Sequence, residues 1–157
     1  MMRTLVFGFI SLLLVGAAMG RVDEASDKLA AKERRFNEYS KNFLDFAEFS
    51  PKSDCGSERM MATDLQTVSS EAAEYVGSVH TLLTVYGQIS NKEDRAAITF
   101  LLQQKFRAYY SPLIENLIKQ TNLVISDTRR PGVAAEAMRM RDDLRETKDI
   151  LDLIKLQ

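Results

Sequence analysis

The chain has 157 residues, 45% hydrophobic and 27% charged, the balance of one folded domain. With 21 Lys and Arg against 22 Asp and Glu, the formal net charge is -1, which gives no concentrated basic face for nucleic acid. One His and one Cys are too few for a Cys/His zinc site or for the paired Glu-x-x-His motifs of a di-iron bundle.

The N-terminus, "MMRTLVFGFISLLLVGAAMG", carries one cation, Arg3, then an apolar run from Leu5 to Val15, then small residues. Ala18 and Gly20 occupy the -3 and -1 positions of a cleavage before Arg21, the pattern of a secretory signal. The apolar stretch ending at Met19 falls short of the ~20 residues that span a bilayer as a helix. The expectation is a signal peptide over 1–20 and a single domain over 21–157, periplasmic or secreted, with no integral membrane segment in the mature chain.

Past Arg21 the apolar residues recur at intervals of three and four, one face of a helix, in four successive segments. The first covers 22–49 with the stripe Val22, Ala25, Leu29, Lys32, Phe36, Tyr39, Phe43 and Phe46, in which Lys32 is the one break. Ser50-Pro51 ends it, because proline disfavours helical geometry in the residue before it. The second covers 57–89 with Met61, Leu65, Val68, Ala72, Tyr75, Val79, Leu82, Tyr86 and Ile89, widened by Val76 and Leu83. The third begins at Ser90 or Asn91, either a suitable cap, with Glu93 and Asp94 in the first turn where the helix dipole favours acids. Its stripe is Ile98, Leu102, Phe106, Tyr109, Leu113, Leu117 and Val124, and Pro112 predicts a kink or a split. The fourth starts near Pro131 and carries Val133, Ala137, Met140, Leu144, Thr147, Leu151 and Ile154. Four amphipathic helices with short connections predict an all-α fold, an antiparallel four-helix bundle with shallow crossing angles.

Candidate chemistry is sparse. Cys55 and His80 could form an activated thiol only in hydrogen-bond contact, and their separation along one helix precludes it. His80 falls beside the apolar stripe, a boundary position. Met60, Met61, Met138 and Met140 invite a thioether metal site, but Met61 and Met140 belong to core stripes. Asp142 and Asp143 read as part of a solvated face, as does the cluster "KERR" at 32–35 with its alternating charges. No glycine-rich phosphate loop is present. No cofactor or metal ligand set is expected.

Two sites remain. Phe36, Tyr39, Phe43 and Phe46 on the first helix, with Tyr109 and Tyr110 beside Pro112, form a candidate groove for an apolar ligand or a partner helix, against ordinary core packing. Cys55, in the connection "SPKSDCGSERMM", lies near a helix N-terminus. In an oxidising compartment it would be an intermolecular disulfide or a free thiol, and under the loop a half-buried one. The leading expectation is an exported non-enzymatic module for binding, adaptor or structural roles, its partner another protein or a second copy linked through Cys55. The alternatives are a carrier of a small apolar ligand and an enzyme whose site is assembled only by folding.

Overall fold

A computed structural model describes the backbone over residues 3–49 and 56–156, and the side chains over 22–49 and 56–156. The described chain is all helical, without a strand. In chain order it forms α1 (Arg3–Glu48), α2 (Gly56–Gly87), α3 (Lys92–Lys105), a π-helical turn (Phe106–Tyr110), α4 (Ser111–Asp127) and α5 (Pro131–Leu153). The side chains of the segment expected as a signal peptide lie outside the described residues. Among the described residues no helix is long and apolar enough to cross a membrane.

The apolar stripes supply the interior. Leu29, Phe36 and Phe43 of α1, Leu65, Val76, Leu83 and Tyr86 of α2, and Met140, Leu144 and Leu151 of α5 are all buried in one cluster. Each such side chain contributes roughly 1.5–3 kcal/mol on leaving water, so the stripes, more than intrinsic helix propensity, hold the long helices in place. The most extensive packing is α1 along α2, followed by α4 along α5. Small residues on α2, Ala62, Ala72 and Ala73, are buried there and let the backbones approach.

Polar pairs fix how the helices sit lengthwise. Between α1 and α2, Ser40 meets Ser70 at 2.9 Å and Glu33 lies 3.8 Å from His80. Between α1 and α5, Lys32 meets Asp143 and Asn42 meets Glu136, both at 2.6 Å. Between α4 and α5, Ser111 donates to Asp152 at 2.8 Å. The helix starts follow their sequence signals. The Asn91 side chain accepts from the Glu93 amide at 2.9 Å, and Pro131 opens α5 where its missing N–H is not needed.

The irregularity expected at Pro112 takes the form of the π turn just before it. The Ser111 N–H reaches back five residues to the Phe106 carbonyl. Proline lacks an N–H and clashes with the carbonyl four residues back, and the wider turn relieves that demand. The turn adds one residue to the helix and shifts the stripe beyond it. Tyr110, Ile114, Leu117, Ile118 and Thr121 are buried, whereas Tyr109, on the expected stripe, is exposed. α3 is the most open helix, with Leu102 as its buried side chain.

Candidate functional site

Among the described residues an ionic cluster lies between α1 and α5, and a surface groove lies between α2 and α4.

The cluster corrects two expectations. Lys32 does not belong to a solvated "KERR" face, and Asp143 does not lie on an exposed one: they are 8% and 3% exposed. Lys32 Nζ donates to Asp143 Oδ1 at 2.6 Å and also to Glu146. The other carboxylate oxygen, Oδ2, accepts from the Tyr39 hydroxyl at 2.6 Å and pairs with Arg35 Nη2 at 2.8 Å. Arg35 also donates to the Tyr39 oxygen at 3.0 Å. Burial and the hydrogen bond to Asp143 push the Tyr39 phenol well above its ordinary value, so it remains a neutral donor. Two cations thus balance two carboxylates, and both Asp143 oxygens are engaged. Arg35 and Glu146 reach solvent at the rim while Lys32, Tyr39 and Asp143 stay inside. A buried ion pair is tolerable only when its remaining donors and acceptors are met, and here they are. The arrangement is a clamp between α1 and α5.

A second buried carboxylate, Glu58 at the start of α2, holds the turn between α4 and α5. It accepts from the Arg129 amide at 2.9 Å and from the Thr128 hydroxyl at 2.7 Å, and these bonds keep its carboxyl below the usual range. This anchors the first turns of α2 beside the last turns of α4 and thereby shapes the groove between them.

The groove, of about 490 Å3, is lined by Ser57, Met60, Met61, Asp64, Thr67 and Val68 of α2. Gln120, Leu123, Val124 and Asp127 of α4 form its other wall. The α2 positions fall at intervals of three and four or their sums, one face of the helix for three turns. Met60 and Leu123 stand at its edges, each 66% exposed. Neither belongs to a core stripe. Met60 is next to Met61 and Leu123 next to Val124, so each widens an apolar face beyond what the core uses. A second apolar position beside a stripe residue, on two helices, was the sequence signal for this site.

The sequence-predicted residues are dispersed. Phe36, Tyr39 and Phe43 are buried in the interior, and Phe46 is partly buried with Arg130 stacked 5.6 Å from its ring. Tyr109 and Tyr110 touch edge to face, centroids 5.1 Å apart, with Tyr110 inside and Tyr109 outside. The space beneath the π turn, lined by Leu29, Tyr75, Val79, Tyr110, Ile114 and Leu151 among others, admits no water-sized sphere. Phe46 lines a surface groove with Asn42, Asp45, Phe49, Arg130, Glu136 and Arg139, apart from both tyrosines. His80 sits half-exposed at the boundary near Glu33. Met140 is fully buried, while Met61 is only partly so and Met60 and Met138 are exposed. Cys55, with Pro51 and Asp54, lies outside the described residues. Among the described residues no group of three or more His, Cys, Asp or Glu side chains is placed to hold a metal ion.

No protein-family model matches the chain, and neither the curated proteins nor the solved structures show a significant similarity to it.

Proposed function

We propose that this protein is an exported helical bundle that binds another protein through the α2–α4 groove. The observation that carries the binding role is the placement of Met60 and Leu123, two large apolar side chains held mostly in solvent across one groove. Adjacent exposed apolar side chains rimmed by polar ones are the mark of an interaction surface. The filled interior favours a surface partner over an apolar cargo carried within the helices.

Export rests on the N-terminal pattern of Arg3, the apolar run and the small residues before Arg21. The antiparallel arrangement rests on the order of the interhelix pairs. Moving up α1 from Glu33 to Ser40, the partner on α2 falls from His80 to Ser70. Moving from Lys32 to Asn42, the partner on α5 falls from Asp143 to Glu136. Ser111 at the start of α4 meets Asp152 near the end of α5. With α3, the π turn and α4 taken as one interrupted helix, this ordering supports a four-helix up-down bundle.

An apolar fluorescent dye tests the groove. The native protein should enhance its emission, and Met60→Ser with Leu123→Ser should abolish the enhancement without moving the melting temperature, since substitutions at exposed positions stay within ~0.5 kcal/mol. Equal enhancement by both proteins would remove the groove as the apolar site.

A further inference from the structure

We infer that the occupant of the α2–α4 groove is a cationic amphipathic helix of a partner protein; this rests on the reading of the groove as a binding site. The first argument is shape. The α2 wall runs from Ser57 to Val68, which at 1.5 Å per residue is roughly 16 Å, or about three turns of a docked helix. Two adjacent helical walls with an apolar floor match the ridge of a third helix, which presents anchors at intervals of three and four. Met60 and Met61 suit this role because unbranched thioether side chains re-pack around the shape laid on them.

The second argument is charge. The lining holds two carboxylates, Asp64 midway along the α2 wall and Asp127 at the end of α4, and no Lys or Arg. The nearest cations in sequence, Arg59, Lys119, Arg129 and Arg130, do not line the groove. Asp64 has no ion-pair partner among the described residues, and Asp127 accepts only from the neighbouring Ser126 hydroxyl at 3.0 Å. Some other carboxylates are paired within the chain, Asp142 with Arg141 and Arg145, Asp152 with Lys148, and Glu136 with Arg139; among the described residues the two in the groove are not. An apolar strip flanked by uncompensated carboxylates is complementary to an apolar helix face flanked by lysine or arginine. The same carboxylates repel anionic lipid headgroups and nucleic-acid phosphates.

The test uses the full-length protein and three amphipathic helical peptides about three to four turns long. All carry leucine on one face; the other face is lysine, glutamine or glutamate. Titration calorimetry at low salt should show the lysine peptide binding at least tenfold more tightly than the glutamate peptide. That advantage should shrink several-fold in Asp64→Asn with Asp127→Asn and should fall with added salt. Leu123→Ser should weaken all three peptides. If all three bind equally and Leu123→Ser weakens them, the groove stands and the cationic occupant is overturned. If they bind but Leu123→Ser changes nothing, or if none binds, the groove itself is overturned as the docking site.

Discussion

Lys32 occupies the centre of an apolar stripe, a position where an ammonium group is costly unless another element supplies its counter-charge. α5 supplies it as Asp143, and the two residues are therefore interdependent in a way neither shares with the stripe around it. Asp143 serves Lys32, Arg35 and Tyr39 at once, whereas Lys32 can be lost and leave Asp143 with two partners. Asp143→Ala leaves Lys32 with only the exposed Glu146 and takes the acceptor from Tyr39, and should therefore destabilise the fold by about 3 kcal/mol, the low end of the range for breaking a buried pair. Lys32→Met should cost no more than about 1–2 kcal/mol, and combining it with Asp143→Ala should recover part of the larger loss. Urea unfolding of the three variants measures this. If the double variant is as unstable as the sum of the singles, the pair is not coupled and the clamp between α1 and α5 is disproved.

At the scale of elements, the π turn is one residue more than an α-helix would hold at that place. The helix flanks keep their faces toward the interior because the extra residue is absorbed within Phe106–Tyr110. Ala108 lies in the turn and is exposed, so it is the residue whose removal disturbs packing least. Deleting Ala108 together with Pro112→Ala should give an uninterrupted helix whose stability is within about 1–2 kcal/mol of the native chain, since no core side chain is lost. Deleting Ala108 with Pro112 retained should cost about 3 kcal/mol or more, because the proline then sits inside an ordinary helix. Thermal unfolding by circular dichroism distinguishes the two. Similar stability of both deletions would show that the proline does not require the wider turn.

For the whole molecule, polar bridges reinforce the buried core: Glu58 to the α4–α5 turn, and Gln103 to the Leu156 carbonyl at 3.1 Å. If export removes residues 1–20, the remainder must be able to stand alone. A chain beginning at Arg21 should fold and melt within a few degrees of the full-length protein, since the four apolar stripes that pack together all lie past that point. A large loss of stability on truncation would mean that the N-terminal segment is part of the folded body, and it would count against cleavage at that site.

Val133, Ala137, Met140, Leu144, Thr147, Leu151 and Ile154, read from spacing alone, are all buried in the structure; of the α2 stripe Leu65, Val68, Ala72, Val79 and Tyr86 are buried, and Met61, Tyr75, Leu82 and Ile89 only partly so. The sequence determines this much because burial of a helix face depends on periodicity within one segment, and the caps at Asn91 and Pro131 depend on residues beside them. It also marked Lys32 as an anomaly and Pro112 as a break. Only the tertiary structure decided that Asp143 answers Lys32, that the break becomes a π turn placing Tyr110 inside and Tyr109 outside, and that Met60 and Leu123 line the same groove. Each of these joins residues far apart in the chain or turns on a one-residue change of register. Local patterning does not encode such choices; the packing of one helix against another does.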